Sequence, residues 1–342
     1  MPEPSALAFR PEWLARTVEA PIDPSRPVID PHFHFFDESD VFPHYRLPDL
    51  QADLAEHRVE QAVFIQCAEH HRTTGPEALR PVGETEWVAG LADRAARAPA
   101  GGVRIGGIVG EARLSEGVRV RETLEAHVDA SPLFRGIRDM GLWDASPAIA
   151  SAEHTTGPDL YGEAAFREGF AELEKLDLSF DAHQYHSQLF SVASLARAFP
   201  DTTIVLDHLG SPLAEGPYEG KREEIFLKWQ AGMADVASCP NVVVKLGGLA
   251  MPWNGFRWEL EDAPPTSDRF VEVYRRYYEY AIELFEPRRC MFESNFPVDR
   301  LSLPYTVLWN AFKKLASVYS ESEQDDMLRG TAARVYRLGP EA

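Results

Sequence analysis

Short apolar runs alternate with longer amphipathic segments along most of this chain. Eight of the runs are rich in β-branched residues and are predicted to be strands: Val28–Phe36, Ala62–Cys67, Arg104–Gly110, Gly136–Asp139, Ser179–Tyr185, Thr202–His208, Val242–Gly247 and Cys290–Asn295. The amphipathic segments between them predict crossover helices: Leu47–Val59, Glu84–Ala98, Glu116–Ala130, Ser187–Phe199, Arg222–Ala237, Ser267–Phe285 and Pro304–Tyr319. This alternation is typical of βα units that build a parallel sheet.

Eight βα units close most naturally into a barrel, so the predicted fold class is α/β, a (β/α)8 TIM barrel. A doubly wound sheet usually carries a glycine-rich phosphate loop after its first strand, whereas the first strand here ends in His-Phe-His. We expect residues 27–342 to form a single barrel domain and residues 1–26 to be an N-terminal extension. The loops after strands four, six and seven are long and are expected to cap the pocket: Met140–Asp159, Gly210–Gly220 and Leu249–Asp268.

The charge balance excludes two classes of partner. The 342 residues carry a formal net charge of −20, which repels nucleic acid and the anionic face of a membrane. No run approaches the roughly 18 apolar residues of a membrane span, and the N-terminal stretch lacks a targeting pattern. We therefore expect a cytoplasmic protein that acts on a small-molecule substrate, with a homo-oligomer left open. The three widely spaced cysteines, Cys67, Cys239 and Cys290, are predicted to be reduced.

The first strand carries the densest chemical signal, Asp30-Pro31-His32-Phe33-His34. Alternate residues of a strand share a face, so His32 and His34 are predicted to point together into the barrel, about 6–7 Å apart along it. A buried imidazole needs a hydrogen-bond partner or a metal. At the end of the first barrel strand, we predict that the two histidines are metal ligands.

Strands five and six supply further histidines. We predict that His208 is the last inward residue of strand six, at the point where a glycine lets the chain turn sharply. Asp207 beside it is expected to point outward and to be structural. On strand five, His183 is predicted to be catalytic and Tyr185 to contact substrate, although the sequence leaves open which face of that strand is inward.

Strand eight places Met291, Glu293 and Asn295 on one face. A buried glutamate is rare unless it is paired, so a carboxylate at this position indicates function rather than core filling.

Four further residues are candidates for substrate binding. Arg138, at the end of strand four, is the candidate for an anionic substrate because a guanidinium binds a carboxylate bidentately, and a surface salt bridge is the alternative. Lys245 on strand seven could polarise a carbonyl or pair with a barrel carboxylate. Trp143 and Trp253 lie in aromatic loop stretches that we predict to be lids over the pocket, with packing against the barrel rim as the alternative.

In this order, the motifs resemble the amidohydrolase-2 group of the amidohydrolase superfamily, the sugar-lactone and 2-pyrone-4,6-dicarboxylate lactonase-like metal-dependent hydrolases. The resemblance covers most of the chain and rests on Val28–Asp37, Phe134–Arg138, Phe199–Gly210, Asn241–Leu249 and Met291–Val298. It implies that a His-x-His pair, a histidine on strand six and an acid on strand eight activate water against an ester or lactone carbonyl. The first three groups correspond to His32, His34 and His208.

The fourth group departs from the family pattern. Members usually have Gly-Ser-Asp on strand eight, whereas this chain has Glu293-Ser294-Asn295. Asparagine cannot act as a general base near neutral pH. Glu293 lies one pleat deeper and could replace the missing acid, with Asn295 orienting water or substrate; alternatively, Glu293 forms a core ion pair with Lys245 or Arg138. We expect a divalent ion, Zn²⁺ or Mn²⁺, to be bound by His32, His34, His208 and Glu293.

Three functions remain open at this stage. The leading prediction is a hydrolase that opens a lactone or related ester of a small polar substrate, which could carry a carboxylate. A lyase of the same barrel family, a decarboxylase or hydratase, is the alternative because the same histidines can hold a metal for either reaction. A barrel that binds a ligand without catalysis is the third, motivated by the missing aspartate.

Overall fold

The structure is a computed structural model, and it describes residues 9–37, 42–97, 103–254 and 256–339. Residues 1–8 of the predicted N-terminal extension lie outside the described residues, as do Ala98 at the end of a predicted helix, position 255 in a predicted loop and residues 340–342 of the predicted domain.

Eight parallel strands are hydrogen-bonded in sequential order, which confirms the predicted (β/α)8 barrel. Phe33 forms a parallel bridge with Phe296, and the His34 N–H donates to the Phe296 carbonyl at 2.8 Å, so the first strand meets the segment after the last. The strands are β1 Val28–Phe33, β2 Val59–Ile65, β3 Arg104–Gly110, β4 Phe134–Arg138, β5 Ser179–Ala182, β6 Ile204–Leu206, β7 Val242–Leu246 and β8 Cys290–Phe292.

Helices cover the outside of the barrel and join successive strands. They are α1 Pro11–Leu14, α2 Leu47–Leu54, α3 Val82–Ala96, α4 Val120–Ala130, α5 Ala164–Lys175, α6 Leu189–Ala198, α7 Arg222–Ala237, α8 Ser267–Phe285, α9 Tyr305–Ala316, α10 Glu321–Asp325 and α11 Thr331–Val335. In α8, Thr266 caps the first turn by accepting the Arg269 N–H at 3.2 Å, and Phe270, Tyr274 and Tyr278 turn one face inward. None of the helices in the described part of the chain combines the length and apolar character that a membrane crossing needs.

The barrel interior changes from apolar to polar along its axis. One apolar cluster gathers inward residues of six strands, Ile29, Val63, Val109, Val205, Val243 and Met291, together with Tyr336 from the C-terminal segment. Inward positions beyond this cluster carry polar side chains, including His32 and Lys245, and all of them are buried. The apolar layer therefore forms the floor on which a polar centre rests at the C-terminal ends of the strands.

Several strands end earlier than the alternation of residues predicted. Strand β6 stops at Leu206 because His208 and Leu209 adopt left-handed backbone conformations, with φ of 54° and 52°. Strand β8 stops at Phe292, and Asn295 also has a positive φ of 54°. Side chains beyond these points no longer follow the two-residue repeat of a strand.

The N-terminal segment packs against the loop before α8. The Trp13 indole N–H donates to the Glu261 carbonyl at 2.8 Å, and the Ser267 N–H donates to the Glu19 carboxylate at 2.7 Å. Glu19 also accepts a hydrogen bond from the Asn310 side chain at 2.9 Å. Residues 9–22 thus contact the outer layer of the barrel.

Candidate active site

A cavity of roughly 440 Å³ opens at the C-terminal ends of the strands. Its deep wall includes His34, Arg138, His183, His208 and Asn295. The remaining lining divides into an apolar group, Phe36, Phe42, Cys67, Ala68, Met140, Ala152, Met251, Trp253 and Val298, and a polar group, Gln66, Glu111, Arg113, Asp139, Glu153 and His154. This combination of apolar wall and convergent polar groups is typical of a site for a small molecule.

The two histidines of β1 meet inside the barrel, with their Nε2 atoms 3.1 Å apart. His34 donates its Nδ1–H to the Ile65 carbonyl at 2.8 Å, which leaves its Nε2 unprotonated in the neutral ring. The Nδ1 of His32 lies 2.8 Å from Oε2 of Glu293 and 3.1 Å from the Lys245 ammonium. Burial, reinforced by Lys245 for His32 and by Arg138 for His34, holds the pKa of both imidazoles well below the ordinary value.

Glu293 lies beneath two imidazoles and is fully buried. Its Oε1 accepts the Nδ1–H of His208 at 2.7 Å and the His208 backbone N–H at 3.2 Å, while Oε2 faces His32. Burial alone would raise the pKa of this carboxyl, but His208 and His32 outweigh burial and hold the pKa far below its usual value. Glu293 is therefore an ionised acceptor that fixes which ring nitrogen of His208 carries the proton.

Close backbone approach by β7 makes this arrangement possible. Gly248 has a φ of 71°, and a Cβ built there would lie 2.5 Å from Nδ1 of His208. At Gly247, a Cβ would lie 2.3 Å from Cγ of Glu293. The end of β7 has to be glycine because the imidazole and the carboxylate occupy the space of its side chains.

A buried ion cluster lies below the histidines. The Lys245 ammonium is 2.6 Å from Asp181 and 3.0 Å from Asp207, and the Tyr336 hydroxyl donates to Asp181 at 2.7 Å. Arg138 reaches Asp207 at 3.6 Å. Burial alone would raise the pKa of Asp207, but Lys245, His208 and Arg138 lower it to about 2. The carboxylates of Asp181 and Asp207, rather than Glu293, are thus the ion-pair partners of the buried cations.

Two other predicted residues border the cavity. His183 lies on its deep wall, and its ring centroid is 4.7 Å from that of His208. Burial, followed by the influence of His208 and Arg138, holds the pKa of His183 well below the ordinary value. Asn295 also borders the cavity, although its side-chain amide donates to Asp299 at 3.1 Å.

Several placements correct the sequence predictions. Asp207 does not point outward: Val205 faces the barrel interior, so strand alternation turns Asp207 inward as well. His208 follows it into the site only through its left-handed conformation. Lys245 pairs with Asp181 and Asp207, which is the alternative that the sequence left open for it, and it is not among the residues that line the cavity.

The structure also corrects the predicted positions of Tyr185, Trp143 and Glu293 relative to the cavity. Tyr185 follows the end of β5, packs with Ile149 and Leu213, and donates to the Ala150 carbonyl at 2.7 Å. Trp143 does not line the cavity, whereas Trp253 does. Glu293 does not line it either, because both of its oxygens lie against histidine Nδ1 atoms. Neither ion pair predicted for Glu293, with Lys245 or with Arg138, is formed.

Four residues at the site were not predicted from the sequence. Asp181 shares an inward face with His183 two residues on, so alternation along β5 could have found it. Glu111 follows β3 and Asp139 follows β4 directly, where barrel side chains reach the pocket. His154 lies in an irregular loop, where no periodic pattern indicates the direction of a side chain.

The chain belongs to the amidohydrolase family, whose model matches residues 29–338. An uncharacterized protein of Sinorhizobium fredii, y4mH, is 32% identical over 334 residues, which cover 91% of this chain and 98% of that protein. An L-fucono-1,5-lactonase of Burkholderia multivorans is 32% identical over 182 residues, 52% of this chain and 57% of the lactonase, so the match spans little more than half of that relative. A solved amidohydrolase of Burkholderia multivorans with bound zinc has a TM-score of 0.70 at 22% identity and covers 92% of this chain and 100% of its own. The protein is therefore a hydrolase enzyme of this family.

The histidines fit the divalent metal that the family implies. Lys245 can donate to Nδ1 of His32, in which case Nε2–H of His32 bonds Nε2 of His34. When His32 instead donates its Nδ1–H to Glu293, the Nε2 atoms of both rings present lone pairs 3.1 Å apart that a cation can bind. Each of the two rings then gives its other N–H to a carboxylate or a backbone carbonyl, as metal-bound histidines usually do. Ligand-type atoms of His32, Asp207 and His208 also lie within 4.8 Å of one another. Neutral imidazoles favour a metal such as zinc over a hard cation such as magnesium.

Proposed function

We propose that this hydrolase opens a lactone, or a related ester, of a small polar substrate. The observation that carries the proposal is the pair formed by Glu293 and His208, with the imidazole bordering the cavity and the carboxylate behind it. A carboxylate that takes the Nδ1–H of a histidine leaves Nε2 free to accept a proton, which is what a general base for water needs.

In the proposed reaction, His208 removes a proton from a water molecule while that water attacks the carbonyl carbon. Glu293 holds the ring in the tautomer that can accept this proton and stabilises the imidazolium that results. Neutral His183, whose ring lies beside that of His208, is available to orient the water.

Arg138 supplies positive charge to the substrate. One of its terminal nitrogens donates to the Gln66 carbonyl and the other approaches Asp207, while its Nε has no hydrogen-bond partner among the described residues. A guanidinium held in this way on the cavity wall can bind a substrate carboxylate or the carbonyl oxygen under attack. Bound by His32 and His34, a divalent metal would add Lewis-acid polarisation of that carbonyl.

The lining of the cavity supports a substrate with one apolar and one hydroxylated or charged face. Phe36, Met251 and Trp253 provide apolar surface, whereas the Glu111 and Glu153 carboxylates can accept hydrogen bonds from hydroxyl groups. The L-fucono-1,5-lactonase that matches half of this chain makes sugar lactones the first compounds to test.

The test is hydrolysis of a panel of aldono-1,5-lactones and carboxylated lactones, followed by release of the hydroxy acid. We expect His208→Asn to lower turnover at least 10²-fold, the usual scale for a general base. His186→Asn is the matched control, because this buried histidine packs against Tyr218 and does not line the cavity. Equal activity of His208→Asn and wild type would contradict the assignment, and release of carbon dioxide from unsaturated acids without lactone hydrolysis would favour a lyase.

A further inference from the structure

A second carboxylate–imidazole pair borders the cavity, separate from the pair that includes His208. Asp139 directly follows β4, and its Oδ1 lies 2.6 Å from Nε2 of His154. The Asp139 side chain is only 2% exposed, whereas that of His154 is 22% exposed, and both residues line the cavity. The proposed water attack uses neither residue.

The pair is held by its surroundings on both sides. Oδ2 of Asp139 accepts the Leu114 N–H at 2.9 Å, which fixes the carboxylate at the end of β4. The loop that carries His154 is tied back on itself, since the Ala152 N–H donates to the Leu142 carbonyl at 2.8 Å and the Thr155 hydroxyl donates to the Met140 carbonyl at 3.2 Å. Hydrogen bonds within the loop therefore hold His154 in place at the cavity.

The contact with Asp139 occupies only one of the two ring nitrogens of His154. Because a carboxylate only accepts, Nε2 of His154 carries a proton that it donates to Asp139. Across the described residues, no hydrogen-bond partner is found for Nδ1, the other ring nitrogen. A protonated His154 therefore has one N–H anchored and a second available to a bound molecule.

We propose that His154 is the general acid of the reaction and donates its Nδ1 proton to the ring oxygen of the lactone, with Asp139 as its positioning residue. This assignment rests on the proposed lactone hydrolysis. Ring opening expels an alkoxide, which is a poor leaving group unless it is protonated as the bond breaks. The imidazolium formed at His208 could return its proton to the leaving group, whereas a separate donor at His154 gives each of the two proton transfers its own imidazole.

The proposed reaction contains two proton transfers, one to His208 and one from His154. His208 takes one proton from water, and the hydroxide oxygen bonds to the carbonyl carbon while the π electrons of the carbonyl move onto its oxygen. That oxyanion then re-forms the carbonyl, the bond between the carbon and the ring oxygen breaks, its electron pair goes to the ring oxygen, and the proton of His154 completes the new hydroxyl group. The proton on His208 returns to His154 through solvent, so each turnover consumes one water molecule and restores both imidazoles.

The charges around His154 favour its protonated form. The hydrogen bond to Asp139 raises the pKa of His154; burial and Arg113 oppose this effect, and Glu111 adds to it. His71 lies 3.6 Å from Glu111 at the same rim, and Glu153 is the exposed neighbour in the loop. As the pH rises through the raised pKa, His154 loses its proton and turnover of a lactone should fall.

The decisive experiment compares two leaving groups in the full-length protein. Wild type, His154→Gln and Ser151→Ala are assayed on an aldono-1,5-lactone, which expels an alkoxide, and on a 4-nitrophenyl ester, which expels a stable phenolate. Ser151 is an exposed residue of the same loop outside the cavity lining, so Ser151→Ala reports on loop integrity. We expect His154→Gln to lose at least 10²-fold in turnover on the lactone and only a few-fold on the nitrophenyl ester.

A pH profile of lactone turnover is the second readout. Wild type should lose activity on the alkaline side, Asp139→Asn should lose it at lower pH, and His154→Gln should lack that limb. Equal losses on both leaving groups, or an unchanged alkaline limb in His154→Gln, would overturn the role of His154 while leaving lactone hydrolysis standing. A wild-type protein inactive on every lactone and ester would instead refute the proposed function itself.

Discussion

Glu293→Gln is the substitution that most directly tests how the site works. The carboxylate accepts the Nδ1–H and backbone N–H of His208 through one oxygen and faces Nδ1 of His32 through the other. Glutamine has one acceptor oxygen and one NH₂ group, so it can satisfy only one of the two rings. Whichever ring faces the NH₂ group has to present a lone pair at Nδ1 and carry its proton on Nε2.

The size of the effect depends on that choice. If the NH₂ group faces His208, the base is lost, and turnover should fall by about 10³–10⁴-fold, as when an amide replaces the carboxylate behind a catalytic histidine. If it faces His32, turnover falls less, but metal affinity should drop by about 10–100-fold because the partner behind the ligand is lost. Both outcomes follow from the same two contacts.

Stability should respond much less than activity. Lys245 and Arg138 are neutralised by Asp181 and Asp207, so the substitution leaves no buried cation without a partner. Turnover, metal content after dialysis against a chelator, and Tm would be measured on Glu293→Gln and on Glu293→Asp, which keeps the carboxylate. A Glu293→Gln protein with wild-type turnover and metal affinity but a sharply lowered Tm would refute this reasoning, because Glu293 would then be a core ion-pair residue.

Three further outcomes follow from the geometry. Gly248→Ala should lower the free energy of unfolding by about 1–3 kcal/mol for the left-handed backbone and should displace His208, so that Tm and turnover fall together; an unaltered variant would contradict the close packing at the end of β7. Arg138→Met should raise KM for a carboxylated lactone far more than it lowers turnover, and equal KM values for charged and neutral lactones in wild type would argue against a carboxylate contact. His32→Ala and His34→Ala should each abolish activity and bind less metal by elemental analysis while keeping the wild-type circular dichroism spectrum, whereas full metal content would place the ion elsewhere.

The barrel could be predicted from the sequence because its signal is periodic. In Val242–Leu246, Val243 and Lys245 face the interior while Val242, Val244 and Leu246 pack against the helices, and the crossover helices are amphipathic. In β1 the alternation shifts by one residue at the register break between Asp30 and Phe33, so Ile29 and His32 both face the interior. His32 and His34 are two residues apart and so share the inner face, as predicted. Their Nε2 atoms are 3.1 Å apart, which is closer than the roughly 6–7 Å expected along a strand for two such residues.

Alternation failed where strands end. His208 and Asp207 are neighbours that both face inward, which an extended strand does not allow and a left-handed residue does. Because Val205 faces the interior, counting two residues on along the strand would have predicted an inward Asp207. The inward direction of His208 depends on its positive φ, which the strand pattern does not predict. Tyr185 was misplaced for the related reason that β5 ends at Ala182. The direction of His154 depends on loop hydrogen bonds that the sequence does not encode in any repeat.

The contact between Phe33 and Phe296 has a consequence for how the protein acquires its activity. There the first strand meets the segment after the last: the Asn295 N–H donates to the His32 carbonyl at 3.0 Å, and Tyr336 reaches Asp181 from near the C-terminus. Groups from both ends of the chain thus complete one centre, so a chain that has formed only its first seven strands lacks Glu293, the carboxylate that holds His208 and faces His32. Activity should appear last during refolding, after the helical signal, and local opening of this seam would inactivate the protein before the rest of the barrel unfolds.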